Sequence, residues 1–490
     1  MFIIMLATEC APAAKVGGLG DVVSGLSREL AVRGHAVEVI LPKYDCMRYD
    51  RIFGLVKAYA DLWVPYYDQW IHCDVYFGFM DGVKCFFIDA HSPQNFFNRR
   101  RFYCEQDGER FAFFCRAALE FMLKANKRPE VIHCHDWQTG LAPVLLYEMY
   151  QALGMTHPHA CYTLHNVAHQ GRQGEHILRQ VGLNPAALMR PDRLLDDRHP
   201  ACVNLMKGGV VYANFVTTVS PTYAGEIRFT PLGMGLQRIL NVHHQKFGGV
   251  LNGIDYNRWN PEVDPHIPRR YGIGTLPDKY ANKQALRERL WLRQDFKPLA
   301  AFVGRLDYQK GVHLIFEAVP YCLEHGCQFV LLGSSPHGHV NEAFWRLKRR
   351  FNDHPDCHLE IGYDEELAHL IYAGADLLLV PSEYEPCGLA QLIGQKYGTL
   401  PVVRNTGGLA DTVFDADYAH RPYHERNGYV FNDYNWRGLE SALHRAIGLW
   451  YCYPHYFREL MANGMRYDWS WNHPGQDYVN IYNYIRAPWR

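Results

Sequence analysis

At 490 residues the chain exceeds what one compact core accommodates, so two domains of ordinary size are expected. Its 50 Lys and Arg against 51 Asp and Glu leave a formal net charge of -1, which excludes a general attraction to nucleic acid or anionic lipid and makes any polyanion site local. The 14 cysteines contain no CxxC pair and no apolar run reaches 18 residues, so a disulfide scaffold, a zinc site and a membrane span are not expected.

Residues 2–7 form a short apolar run with no preceding positive charge, which reads as a first strand rather than a signal peptide. A cytoplasmic setting follows, or a plastid one if a transit peptide has been removed. The loop Lys15-Val16-Gly17-Gly18-Leu19-Gly20-Asp21 comes next, then a helix over residues 21–33 and a strand over 36–41. This order is Rossmann-like, although the glycine spacing is not GxGxxG. Lys15 either reaches a phosphate or sugar that the glycines admit close to the backbone, or decorates a structural turn.

Residues 62–79 alternate and are aromatic, as hairpin strands are, and residues 86–89 continue the pattern. A basic, aromatic loop over 96–103 carries Arg99, Arg100 and Arg101, and an apolar helix is expected over 110–124. Residues 131–137 read as a strand ending in His133-Cys134-His135-Asp136. Alternate strand residues face opposite sides, so the two histidines and the cysteine do not meet at one metal ion. Strands over 160–164 and 211–219 end at His165-Asn166 and at Ser220-Pro221. All these ends would line one carboxyl edge, where open α/β sheets bind ligands.

After a loss of periodicity near residues 243–249 the chain passes Asn252 and a Pro-rich stretch, taken as the interdomain crossing. The α/β rhythm then restarts, with strands over 299–303, 328–332, 358–361, 376–380 and 400–403. The loop after the first of these carries Arg305 and Lys310. The run 376–380 stops at Pro381-Ser382-Glu383-Tyr384-Glu385-Pro386-Cys387-Gly388-Leu389 before a new helix. Free N–H groups at Gly388 and Leu389 suit a phosphate, and Glu385 suits a sugar hydroxyl, although a carboxylate there is also an ordinary cap. Asn405-Thr406-Gly407-Gly408-Leu409 makes another Gly-rich turn. The boundaries expected are 1–248 for a first Rossmann-like domain, rejoined by a C-terminal helix over 469–490, and 249–468 for a second. Aromatics reach 14%, with 32 Tyr and 11 Trp, as rings that stack on sugars would require; a Tyr-rich lineage gives the same count.

These motifs, with His135-Asp136-Trp137 and Leu251-Asn252-Gly253-Ile254-Asp255, resemble those of bacterial glycogen synthases and plant starch synthases, retaining glycosyltransferases of family 5 that use ADP-glucose. Phe96-Phe97, Arg101-Phe102-Tyr103 and Arg110-Phe111 are closest to the starch synthase III/IV branch and its cyanobacterial relatives. The resemblance implies a GT-B fold of two Rossmann-like, doubly wound α/β domains facing each other across a deep cleft. It implies transfer of glucose from ADP-glucose to the non-reducing end of an α-1,4-glucan (glycogen, starch or maltooligosaccharides), with no cofactor, metal, nucleic acid or membrane.

The resemblance also implies a site. Lys15, Gly17, Gly18 and Asp21 would close over the nucleotide sugar, and the His165 carbonyl would face the reacting carbon with Asp136, Asn166 and Asn252 nearby. Arg305 and Lys310 would hold the phosphates with Cys387, Gly388 and Leu389, while Gly362 and Tyr363 flank adenine. Glu385 with Thr406, Gly407 and Gly408 would hold glucose hydroxyls; Glu385, His165, Arg305, Lys310 and Lys15 carry the chemistry. The chain departs from the pattern at Ala390, where relatives carry Thr or Ser, at Gly304, which replaces a common Ser, and at Ile393, where many GT-B enzymes have a second Glu. Asp415-Ala416-Asp417 matches a DxD metal motif but reads as an exposed helix end or loop. Alternatives are a retaining GT-B transferase with another donor or acceptor, or a glucan-binding scaffold on this fold.

Overall fold

The structure is a computed structural model describing residues 1–351 and 353–487. The chain divides into two compact units, Met1–Gly253 with Trp471 onward, and Ile254–Ser470.

Unit 1 is built on one nine-stranded sheet. In chain order its strands are β1 (Phe2–Leu6), β2 (Ala36–Pro42), β3 (Phe53–Tyr66), β4 (Gln69–Met80), β5 (Val83–His91), β6 (Val131–His135) and β7 (His159–Leu164). A small separate ladder pairs β8 (Arg172–Gln173) with β9 (Val203–Asn204), and β10 (Phe215–Thr218) and β11 (Phe247–Gly249) return to the main sheet. The spatial order is β11-β10-β7-β6-β1-β2-β5-β4-β3, parallel from β11 to β5 and antiparallel across β5, β4 and β3. Strands buried on both faces need continuous apolar runs, and Ile3 to Leu6 are fully buried. The order reverses at β1, which lies between β6 and β2, so the ends of β1 and β6 border a topological switch point.

Several boundaries differ from the expectations above for local reasons. The first helix is Gly18–Val32, three residues early, so its glycines form the first turn. Residues 211 and 212 are helical because Leu205–Tyr212 is capped by Asn204, whose side chain accepts from Lys207 N, leaving only Phe215–Thr218 as strand. Unit 1 extends past residue 248 because β11 pairs with β10 and Val250 N donates to Thr218 O. Residues 469 and 470 stay with unit 2, where Ile254 N donates to Trp469 O. The C-terminal helix is Asn472–Arg486, burying Tyr478, Tyr482 and Ile485 in unit 1; residues 488–490 of the expected tail lie outside the described residues.

Unit 2 carries a six-stranded parallel sheet of β12 (Leu299–Val303), β13 (Gln328–Gly333), β14 (Cys357–Ile361), β15 (Leu377–Val380), β16 (Leu400–Arg404) and β17 (Tyr429–Phe431). Their order is β14-β13-β12-β15-β16-β17, so its switch point lies between β12 and β15. Helix Lys279–Arg289 is pinned to this core by a wholly buried amine. Lys279 donates to the carbonyls of Tyr372, Ala373 and Tyr397 and to Thr399 Oγ1, and burial lowers its pKa to about 7.

Candidate active site

In unit 1 the polar groups gather where β1, β6 and β7 end. Glu9, 4% exposed, follows β1 and folds the next loop around its carboxylate. Its Oε2 accepts from Val16 N at 2.7 Å and Gly17 N at 3.0 Å, and its Oε1 accepts from the Tyr103 hydroxyl at 2.6 Å. The Lys15 backbone is thereby fixed, and its ammonium lies 2.8 Å from Asp21 Oδ1 on the first helix. Arg99 of the basic run clamps its own loop, donating to the carbonyls of Gln94, Asn95 and Glu105.

Asp136 follows β6 with φ 57 and ψ -179, a sparsely populated backbone for a non-glycine residue. Its Oδ1 accepts from His165 N at 2.7 Å and Asn166 N at 3.3 Å, which orients the turn after β7. Burial raises this carboxyl to about 7 against the opposing pull of those two N–H groups. Burial also lowers His165 and His133 to about 3 and His135 well below its usual value, so the three imidazoles are neutral. His133 joins Tyr482 and Thr163, at 2.8 and 2.6 Å. His135 Nδ1 lies 3.1 Å from His165 Nε2, while the buried His135 Nε2 has no hydrogen-bond partner among the described residues. A buried unpaired N–H costs more than an unpaired lone pair, so His135 donates from Nδ1 and His165 keeps its own proton on Nδ1. Asn252 is buried near the end of the same unit.

In unit 2 the loops after β12, β15 and β16 interlock. Lys310 Nζ lies 2.5 Å from Glu385 Oε2, and Ser382 Oγ donates to the same oxygen at 2.8 Å. Asp307 caps the Tyr308–Lys310 turn, accepting from Lys310 N at 3.1 Å. Gly311 has φ 72, and a Cβ there would stand 2.1 Å from Pro381 O, so only glycine lets this turn lie on the end of β15. Gly407 serves the other side. Its hypothetical Cβ would stand 1.9 Å from Glu385 O, and Gly408 N donates to that carbonyl at 3.0 Å. Thr406, Cys387 and Glu385 are buried, and Gly388, with φ 78, leads into helix Ala390–Lys396.

The remaining expected residues stand at the same carboxyl edge without joining the Lys310 cluster. The Arg305 guanidinium is 57% exposed and 3.5 Å from Asp307 Oδ2. After β14, Gly362 N donates to Gly333 O, and the Tyr363 ring is 79% exposed, its hydroxyl 3.3 Å from Glu365. Ile393 is a core side chain.

The Asp415-Ala416-Asp417 segment is a turn with Asp417 exposed, as expected, but Asp415 is not solvated: it is 7% exposed, and both carboxylates pair with Arg445 at 2.9 and 2.7 Å. It is a structural ion pair. Glu9 and Ser382 are not singled out from sequence, and Tyr103 and His135 enter there only within motifs, without the partners found here; for Glu9 the available signal is its place at the end of an apolar strand.

The family described as starch synthase catalytic domain matches residues 2–242, and glycosyl transferases group 1 matches residues 287–455. Glycogen synthase 1 of Nitrosococcus oceani is 66% identical, covering 99% of this chain and 100% of its own. Glycogen synthase 1 of Synechococcus sp. is 58% identical, with 99% and 100% covered. The chain belongs to the glycogen and starch synthase family. It is a glycosyltransferase with the GT-B fold.

Among solved structures of the family, the catalytic domain of starch synthase IV from Arabidopsis thaliana, bound to ADP and acarbose, superposes with a TM-score of 0.97 at 42% identity over 99% of both chains. A sucrose-phosphate synthase from Thermosynechococcus elongatus, at 19% identity, a TM-score of 0.63 and 99% and 98% coverage, shares the fold alone. No helix among the described residues is long and apolar enough to cross a membrane.

Proposed function

We propose that this chain elongates α-1,4-glucans with glucose from ADP-glucose, retaining the anomeric configuration and releasing ADP. Glucan synthesis is the activity its relatives are named for, and the ADP in the Arabidopsis structure supports adenine over uracil in the donor. The bacterial relatives support a cytoplasmic setting rather than a plastid one.

The observation that carries the reading is the Lys310–Glu385–Ser382 cluster beside the switch point of unit 2. Breaking the glucose–diphosphate bond builds positive charge on the sugar and negative charge on the phosphate, so fixed donors at the phosphate are the largest catalytic effect to seek. In the proposal Arg305 and Lys310 supply that charge, with Cys387, Gly388 and Leu389 beside the phosphates and Tyr363 and Gly362 at adenine. Glu385, held by Ser382, and the Thr406-Gly407-Gly408 turn take glucose hydroxyls. Lys15, with Gly17, Gly18 and Asp21, contacts the nucleotide sugar. The His165 carbonyl, oriented through Asp136, faces the anomeric carbon, and Asn166 and Asn252 complete the sugar contacts.

Same-face attack fits retention, since position 393 offers an aliphatic side chain where a second carboxylate would stand. The test is incorporation of labelled glucose into glycogen and maltooligosaccharides from ADP-glucose and UDP-glucose in parallel, with EDTA present. Elongation from ADP-glucose is expected, undiminished by EDTA. Transfer to fructose without glucan elongation would point to a sucrose-type enzyme, and no transfer from either donor to a glucan scaffold.

A further inference from the structure

The antiparallel end of the unit 1 sheet presents two unlike faces. On one, Leu62, Val64 and Tyr66 of β3 and Ile71 and Cys73 of β4 are buried, with Tyr66 against Phe113 of helix Asp107–Lys124. The alternate residues face the other way. Register sets Trp63 opposite His72, Pro65 opposite Trp70, and His72 opposite His91, so these side chains share one face across three strands. Trp63 is 49% exposed and Trp70 61%.

The rings form a continuous run. Trp63 and His72 have centroids 4.9 Å apart, and His72 stacks on His91 at 5.2 Å with 21° between planes. Carboxylates and an amine thread through it. Asp61 lies 3.1 Å from His72 Nε2, and Asp74 lies 3.0 Å from His91 Nε2 and 2.7 Å from Lys57 Nζ. The hairpin tip is tied down, since Tyr67 N donates to Gln180 O at 2.7 Å.

We infer that this face is a holding site for the glucan chain, separate from the residues assigned to the reaction; the inference rests on the function proposed above. A pyranose ring offers an apolar C–H face to a flat aromatic ring and hydroxyls around its edge. The face supplies both, since the indoles stand beside the exposed Asp61 carboxylate and the imidazoles of His72 and His91, while Asp74 is buried and holds His91 and Lys57 in place. Diagonal neighbours such as Trp63 and Trp70 stand about 7 Å apart, so a short stretch of glucan spans both. A second protein is the poorer fit, because the cores of protein interfaces are depleted in charge and here Asp61, Asp74 and Lys57 lie among the rings. A polymer with many ends held at one surface site presents the others at high effective concentration.

The test compares wild type with Trp63→Ala/Trp70→Ala. Retardation in native gels containing glycogen, without donor, reads binding alone; initial rates with glycogen and with maltotriose read the reaction. The double variant is expected to bind glycogen roughly tenfold more weakly and to show a comparably raised KM for glycogen, with kcat and maltotriose kinetics unchanged. Unchanged retardation overturns the inference. So does a wild type that self-associates in light scattering through these tryptophans while glycogen binding is indifferent to them. If the double variant loses its circular dichroism spectrum, Trp70→Ala alone, at the more exposed position, is scored by the same criteria. Absence of transfer to maltotriose by wild type would remove the proposed function while leaving the gel result to decide binding.

Discussion

The Lys310 ammonium lies 2.5 Å from Glu385, joining residues 75 positions apart on loops that follow β12 and β15. Lys310 is 22% exposed and Glu385 6%, so the pair is shielded from solvent. Removing either partner strands the other. Lys310→Ala and Glu385→Ala are each expected to lower kcat by at least about 100-fold, the scale of losing one transition-state donor. Because the two act together, the double variant should lose little more than either single one, a non-additivity that a double-mutant cycle on kcat measures directly.

Gly407→Ala is expected to damage the same site without touching a charged group. Its Cβ would stand 1.9 Å from Glu385 O, a backbone atom that yields only by moving Glu385, and φ at this residue is +46. Unfolding in urea should show a loss of about 2 kcal/mol or more, with kcat falling together with stability. Gly448→Ala, in the interior of helix Trp436–Cys452 with open space at its Cβ, provides the contrast and should stabilise by about 0.5–1 kcal/mol.

Periodicity makes faces legible, and most strands and their carboxyl-end loops follow from it. Partners distant in sequence do not. Nothing near Glu9 announces that Tyr103, 94 residues on, closes its carboxylate, or that His133 meets Tyr482 across 349 residues. Asp415 reads as a surface residue until Arg445 arrives from helix Trp436–Cys452. Val211 and Tyr212 carry strand-like side chains, yet the Asn204 cap commits them to a helix. Local propensity yielded there to a capping bond and to packing.

Glu9 is expected to act as a positioning residue for Lys15. In Glu9→Ala the Val16 and Gly17 N–H groups lose their acceptor and, at this half-exposed loop, turn to water, so that the Lys15 loop is released. The KM for ADP-glucose should rise by roughly tenfold or more, with a lower urea midpoint. Glu9→Gln retains one acceptor oxygen and should recover part of both effects, whereas Tyr103→Phe removes one hydrogen bond and should cost about 1 kcal/mol. A variant with wild-type KM and a lowered midpoint would mean that Glu9 only stabilises the loop.

The Asp136 carboxyl makes stability depend on pH in a direction that its neighbours oppose. Its pKa is raised to about 7 in the folded protein, chiefly by burial, so the native state holds a proton that the unfolded chain has already lost. Stability from this group is therefore full below its ordinary value near 4 and declines as pH rises through 7; above that the cost reaches at most about 4 kcal/mol. His133 and His165, lowered to about 3, act oppositely, because unfolding lets them protonate below their ordinary value near 6.5. Their contribution is present above that value and is lost as pH falls. Asp136→Asn keeps an oxygen for the His165 and Asn166 N–H groups and removes only the ionisation. Subtracting wild type from this variant cancels the histidines, and the variant's advantage in urea unfolding should grow by about 2 kcal/mol between pH 5 and pH 8. A difference that stays flat across this range would place the Asp136 pKa near its ordinary value. If the charge also serves the reaction, the same variant should lose kcat at pH 8 while gaining stability there, since a buried carboxylate kept at a cost to folding is the mark of a site selected for its chemistry.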